Sequence, residues 1–312
     1  CAFDAGVVIS ASHNPFPDNG IKVLQASGEK ISRDFERRVE ARVLDVEAVS
    51  TMSQDGTVET ADLMDVYKAH LTRIIGHTDL SGVSVAIDCG HGATSEVAPR
   101  VLRQFGITPV TLHAAPDGRN INQASGSTHP EALQREVVAQ HCRIGFAFDG
   151  DGDRCMMVTR SGQVVDGDQL VYVIASSRKA RKKLRGPVVG TLMTNLGVEQ
   201  ALNQQGIDFI RAKVGDRYVM EQLVAHDGLI GGESSGHVIC LDRTSTGDGI
   251  VTALQALAVI MNSGRSLEEL IKPLHLYPQL LVNVRLDAGD AAAIVADPAV
   301  QAAKQGVEQA LG

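Results

Sequence analysis

No tryptophan occurs in the 312 residues, and all aromatic residues together make up 4% of the chain. That scarcity disfavours ligand sites built on aromatic stacking. Positive charge is scarce too: 29 lysines and arginines stand against 37 aspartates and glutamates, a formal net charge of −8. Nonspecific nucleic-acid affinity comes from cations that displace counterions, so the charge argues against a polyanion partner. A small anionic ligand, held by a local patch of donors and a cation, is still compatible with an acidic total. The cysteines Cys1, Cys89, Cys142, Cys155 and Cys240 include no C-x-x-C pair and are odd in number, which argues against a disulfide framework and against a zinc site. They are expected to be reduced thiols. No run approaches the roughly 18 apolar residues of a membrane span, and no secretory signal opens the chain. The expectation is a cytoplasmic protein with no membrane partner.

What is present is an ordinary globular balance, 44% hydrophobic and 21% charged, with 31 glycines. This composition suits βα units whose tight turns carry ligands. Residues 83–88 read as a buried strand, followed by the turn Cys89-Gly90-His91-Gly92 and a helix over 95–104 closed by Gly106. The pattern recurs as a strand over 187–192, a polar turn at Thr194-Asn195, and a helix over 197–205 closed by Gly206. Two such units predict related α/β domains side by side. Between them the basic run 178–185 reads as a solvated helix end and linker. Helical patches are predicted over 35–46 and 61–74, a proline-bracketed hinge over 273–278, a strand over 280–286, and one helix in the alanine-rich tail. A first strand over 6–9 with nothing before it to pair with suggests a truncated start.

Three loops have the composition of chemistry. Ile9-Ser10-Ala11-Ser12-His13-Asn14-Pro15 follows a short β run, and Pro15 biases Asn14 away from helix, so a turn should expose Ser12 at a strand end. A serine hydroxyl needs a base, a metal or an attached phosphoryl group to act, and His13 and Lys22 are neighbours in sequence. An Asx-type turn with a solvent histidine is the alternative. Asp149-Gly150-Asp151-Gly152-Asp153-Arg154 is more specific, since three carboxylates at alternate positions can turn onto one hard divalent cation. The apolar run 144–148 before it places this loop at the carboxyl end of a strand, where open α/β sheets bind ligands. Arg160 occupies the twelfth position from Asp149, so the loop is not an EF-hand. Open positions on Mg²⁺ held by three protein carboxylates would admit a phosphate oxygen, which points to phosphoryl chemistry. Gly232-Glu233-Ser234-Ser235-Gly236-His237 offers a carboxylate and a hydroxyl to vicinal sugar hydroxyls, or is a ligand-free hairpin turn. Lys213-Val214-Gly215-Asp216-Arg217 supplies two cations for a phosphate, or a surface salt-bridge cluster.

In this order, Ala11-Ser12-His13-Asn14-Pro15, Asp149-Gly150-Asp151-Gly152-Asp153-Arg154 and Gly232-Glu233-Ser234-Ser235-Gly236-His237 resemble the phosphoserine, metal and sugar loops of the α-D-phosphohexomutases. Asp18-Asn19-Gly20-Ile21-Lys22, Asp166-Gly167-Asp168-Gln169, Lys213-Val214-Gly215-Asp216-Arg217-Tyr218-Val219 and Thr246-Gly247-Asp248-Gly249-Ile250 look like the glucosamine-specific branch of that family. The resemblance implies consecutive α/β domains with mixed sheets. Residues 1–76 would be the latter part of domain I, 77–180 domain II, 181–276 domain III, and 277–312 the start of a smaller C-terminal α+β domain. Family features before the serine loop and in the last domain, including its phosphate-binding loop, do not occur. A partial chain with little activity alone is therefore expected.

The resemblance further implies that Ser12 carries a phosphoryl group between the 6- and 1-oxygens of a phosphorylated hexosamine, through a 1,6-bisphosphate. Ser12, Asp149, Asp151 and Asp153 would hold Mg²⁺, with Arg154 offsetting charge and His13 and Lys22 beside the transferring group. Glu233, Ser235 and His237 would bind the sugar, and Lys213 and Arg217 are further substrate contacts. Homodimerisation is left open. The rival readings are the same chemistry on glucose or mannose phosphates, a metal-dependent phosphatase, and a noncatalytic sugar-phosphate binding module.

Overall fold

The computed structural model describes residues 3–45, 57–280, 282 and 291–311. It divides into two units, Cys1–Tyr277 and Pro278–Gly312.

The larger unit begins with an antiparallel hairpin of β1 (Ala5–Ser10) and β2 (Gly20–Gln25), followed by α1 (Arg33–Val43). Then come α2 (Met64–Ile75), β3 (Val85–Asp88), α3 (Thr94–Gln104), β4 (Val110–Leu112), α4 (Glu131–Ala139), β5 (Ile144–Phe148), β6 (Cys155–Thr159) and β7 (Val164–Val165). The five strands form one sheet in the order β4-β3-β5-β6-β7. Pairing is parallel among β4, β3 and β5, and antiparallel from β5 to β6 and from β6 to β7.

A second set follows: α5 (Gly167–Ala180), β8 (Val188–Thr191), α6 (Leu196–Gln204), β9 (Phe209–Ala212), α7 (Asp216–Ala225), β10 (Ile230–Gly232) and β11 (Val238–Cys240). Its sheet runs β11-β10-β8-β9, with β9, β8 and β10 parallel and β11 antiparallel. Both sheets thus place their second strand outside the first, their third on the other side, and a reversed fourth strand beside the third. The repeat expected from the sequence is present. α8 (Gly249–Ser263) and α9 (Leu267–Ile271) complete the unit.

Strand alternation sorts the core. In β3, Val85 and Ile87 face one cluster, while Ala86 joins Leu133 and Val137 of α4 on the other face. In the second sheet Val189 and Ala212 pack with Val219 and Leu223 of α7. Val188 and Ile230 join residues of α5, α6 and α8 in the same continuous cluster that holds Phe146 and Met157. The two sheets therefore share a core, built on α5 and α8. The burial of most of α8 explains its apolar run, in which Ile250, Val251, Leu254, Leu257 and Ile260 are all buried.

Some sequence expectations change. The basic run 178–185 is not wholly solvated: Arg178 is buried in the last turn of α5, where its Nη1 donates to Asp242 Oδ1 (2.5 Å) and its Nη2 to Gln255 Oε1 (3.0 Å). A buried guanidinium with acceptors on both arms is stable where an unpaired one is not. The helix expected over 35–46 ends at Val43 among the described residues, and the one expected from 61 starts at Met64. In the smaller unit the single tail helix is two, α10 (Ala291–Ala296) and α11 (Pro298–Leu311). Pro298 cannot continue the preceding helix, and Asp297 Oδ1 accepts from Ala299 N (2.8 Å) to start the next. The expected strand over 280–286 lies mostly outside the described residues.

Leu133 is fully buried beneath the first sheet. Leu133→Ala should lower unfolding stability by about 2–5 kcal/mol in urea titrations; an unchanged midpoint would contradict its packing against Ala86 and Val137.

Candidate active site

Strand β5 is buried over all five residues and delivers Asp149 at its end with no exposure. Gly152, at φ 75°, turns the chain back so that its N–H donates to Asp149 O (3.1 Å) and Arg154 N donates to Asp149 Oδ1 (3.0 Å). Asp149, Asp151 and Asp153 each offer one carboxylate oxygen, all within 4.8 Å of one another. Asp149 Oδ2, Asp151 Oδ1 and Asp153 Oδ1 are buried and lack hydrogen-bond partners. Three orphaned anionic acceptors facing one locus fit a hard divalent cation.

Basic side chains close around them. Lys22 of β2 pairs with Asp151, and its Nζ lies 3.6 Å from Asp153 Oδ2. Arg154 Nε lies 3.8 Å from Asp149 Oδ2 and 3.9 Å from Asp153 Oδ1, and His237 Nδ1 lies 3.6 Å from Asp153 Oδ1. Burial, then the charges of Asp153 and Asp151, push the Asp149 carboxyl up to about 8. For Asp153 burial acts upward, but His237, Lys22 and Arg154 together hold its carboxyl below the usual range. Burial acts on Lys22 to lower its pKa, and the hydrogen bond and charge of Asp151 outweigh it, leaving the ammonium more stable than usual. Burial and the Arg154 charge lower His13, which favours its neutral imidazole.

The serine turn sits directly on this loop. Ser12 takes a left-handed φ of 54°, its N–H donates to Ser10 Oγ (2.7 Å), and its Oγ is 3.3 Å from His13 Nδ1. It is half-buried and not freely exposed as the sequence suggested. The reason is close backbone docking: a Cβ on Gly150 would lie 2.4 Å from Ser12 O. Asn122, from the loop after β4, donates through Nδ2 to both Ser12 O and Asn14 O, each at 2.8 Å. Nothing in the sequence marks Asn122 as a partner of Ser12, because turn-forming asparagines are common and the two are far apart along the chain.

The Glu233 loop is the β10–β11 hairpin turn, equivalent in its sheet to the acidic loop between β5 and β6. The two are bonded, since Cys155 N donates to Gly236 O (3.0 Å). Glu233 Oε1 accepts from Gly215 N (2.9 Å), and Ser235 Oγ is buried with no partner. His237 is nearly buried between Asp153 and Asp216, with Nε2 3.7 Å from Asp216 Oδ2. Arg217 reaches Glu36 Oε2 (3.3 Å) and Ile31 O (3.3 Å), and lines a groove of about 940 Å³ with Lys22, Lys30, Arg33 and Asp216. Lys213 is exposed, with its Nζ 5.8 Å from the Tyr218 ring centre. The structure thus brings Ser12, His13, Lys22, Asp149, Asp151, Asp153, Arg154 and His237 together, with Glu233, Ser235 and Arg217 alongside. Lys213 makes its contact with the Tyr218 ring instead.

Family models for phosphoglucomutase/phosphomannomutase α/β/α domains I, II and III match residues 1–50, 65–162 and 166–277. A phosphoglucosamine mutase from Methylococcus capsulatus is 47% identical over 99% of this chain and 69% of its own length. One from Methylobacillus flagellatus is 48% identical over 90% of this chain and 63% of its own. The chain thus spans roughly two thirds of the curated relatives it matches. A crystal structure of a phosphoglucomutase/phosphomannomutase family protein from Burkholderia thailandensis superposes with a TM-score of 0.74 at 28% identity, over 87% of this chain and 58% of that one. The chain belongs to the α-D-phosphohexomutase superfamily and, within it, to the phosphoglucosamine mutase family. No helix among the described residues is long and apolar enough to cross a membrane.

The raised Asp149 carboxyl makes stability depend on pH. Above its unfolded value of about 4 the unfolded chain loses this proton while the folded one retains it, so stability falls as pH rises toward 8. Metal-free protein should show a falling melting temperature from pH 6.5 to 8. Asp149→Asn should flatten the fall, and millimolar Mg²⁺ should offset it in the wild type alone; equal slopes in both proteins would contradict the assignment.

Proposed function

We propose that the protein interconverts glucosamine 6-phosphate and glucosamine 1-phosphate as a phosphoglucosamine mutase, with Ser12 as the phosphoryl carrier. The observation that carries this reading is the docking of the Ser12 turn onto the Asp149–Asp151–Asp153 loop. Curated relatives bearing that name, alike over nearly all of this chain, support it. Among the described residues the thiols Cys89, Cys142, Cys155 and Cys240 are buried and free of disulfides, which suits the cytoplasm as its compartment.

Asp149, Asp151 and Asp153 would hold Mg²⁺ together with an oxygen of the phosphate on Ser12. When bound, the ion would neutralise charge gathering on the phosphoryl oxygens. Transfer breaks the bond from Ser12 Oγ to phosphorus and forms one from phosphorus to a sugar oxygen. The proton leaving that sugar hydroxyl ends on Ser12 Oγ. His13, neutral and 3.3 Å from Ser12 Oγ, can hold this proton in passage. Lys22 remains protonated, and with Arg154 it offsets the charge of the group in flight. Glu233 and Ser235 would bind the sugar hydroxyls and His237 would support them, while Arg217 and Lys213 would meet the phosphate that is not reacting. The bisphosphate then turns round, and its other phosphate returns to Ser12.

Incubating the chain with glucosamine 1,6-bisphosphate and Mg²⁺, followed by intact mass measurement, tests the carrier. Wild type should gain the mass of one phosphate and Ser12→Ala none. Any conversion of glucosamine 6-phosphate to the 1-phosphate should fall at least a thousandfold in the variant. Equal labelling or turnover in Ser12→Ala would overturn the carrier role, and net release of inorganic phosphate without isomer would replace the mutase with a phosphatase.

A further inference from the structure

Two Asp-Gly motifs, Asp166-Gly167 and Asp248-Gly249, take no part in the chemistry above, yet each opens a helix of the shared core. The first four N–H groups of a helix have no partner within it. At the start of α8, Asp248 accepts from Val251 N (2.9 Å), and Gly249 N donates to Gly152 O of the acidic loop (2.8 Å). A Cβ on Gly249 would lie 2.4 Å from Arg154 O and 2.9 Å from Gly152 O, so only glycine allows this docking. Asp248 is in turn held by Tyr67 of α2, whose hydroxyl reaches Oδ2 at 2.8 Å and Oδ1 at 3.1 Å. The outer side of the loop otherwise faces a cavity of about 360 Å³, lined by Leu63, Met64, Tyr67, Val97 and Ile250 and reaching Asp151 and Asp153. The loop is also held at Gly150, whose carbonyl accepts from Ala93 N (2.8 Å), and the bond from Gly249 N at Gly152 is its hydrogen bond to the start of α8.

At α5 the arrangement repeats. Asp166 caps the helix, Gly167 N donates to Ser234 O of the sugar loop (3.2 Å), and a Cβ on Gly167 would lie 2.0 Å from Glu233 O. Because α5 and α8 share one core, the two helix starts hold the two loops in a common frame.

We propose that Tyr67, Asp248 and Gly249 form a strut that positions the acidic loop for its cation, with Tyr67 a positioning residue acting from the segment matched as domain II upon the helix of domain III. The proposal rests on the acidic loop being the metal loop of the mutase reading. Supporting groups behind a metal site hold its ligands in register, and their loss commonly costs 10–100-fold in metal affinity.

Tyr67→Phe is the test, since it deletes one hydroxyl and keeps the ring. Amide hydrogen exchange on the metal-free chain should accelerate roughly tenfold in residues 149–154, the effect of losing a hydrogen bond to a charged group. Titration with Mg²⁺ alone, read by calorimetry, should show about tenfold weaker binding. Leu133→Ala, which weakens the opposite face of the first sheet, should leave both readouts as in wild type. Unchanged exchange in Tyr67→Phe, or an equal change in Leu133→Ala, overturns the strut. The exchange arm needs neither metal nor substrate: a wild type that binds no Mg²⁺ and takes no phosphate onto Ser12 from glucosamine 1,6-bisphosphate overturns the mutase reading, while the exchange result still decides the strut.

Discussion

Three carboxylates gathered within 4.8 Å at the end of a buried strand set the terms for the rest of this structure. Such a group repels itself, and Asp149 within it is fully buried, so the repulsion is relieved by opposite charge, a retained proton or an ion. The chain supplies Lys22 from the first hairpin and Arg154 from the loop itself, and sets the His237 ring from the second sheet beside them. Each comes from a different stretch of sequence, and one carboxyl oxygen on each aspartate still has no hydrogen bond. The result is a site already balanced in part, with acceptors in reserve for a cation and a phosphate.

The repeated sheet order explains why metal and sugar recognition meet. In each sheet the third strand, parallel to the first, turns into a reversed fourth, and the functional loop is that turn. Two copies on either side of α5 and α8 bring the turns together, where Cys155 N and Gly236 O join them. A ligand bridging both loops would touch parts of two domains without either having to build a complete site.

Much of this was legible in the residues. The strands expected over 144–148, 83–88 and 187–192, and found over 144–148, 85–88 and 188–191, announced themselves as apolar runs ending in acidic, glycine-bearing and polar turns, and the acidic loop as a cation site by charge and spacing. The errors have local causes. Arg178 read as solvated because charge alone carries no sign of Asp242 and Gln255 waiting in the core. Ser12 read as exposed because Pro15 predicts a turn, and nothing nearby in sequence says that Gly150 will dock against it. The tail read as one helix because its alanines outweighed the break at Asp297 and Pro298.

Residue order alone carries the chemical inventory: a serine beside a histidine, three alternating aspartates with an arginine, and a carboxylate and hydroxyl in a glycine-bound turn. It also carries the periodicity that makes two α/β repeats. Spacing within a few residues is enough for these, because a turn or strand places neighbours in a known relation. Other pairings arise with the folded chain: Lys22 faces Asp151, Asn122 clamps the serine turn, Tyr67 holds Asp248, and His237 sits between Asp153 and Asp216. Those pairs lie on separate elements. Their meeting depends on how two sheets close over one shared core, which no local pattern of residues encodes.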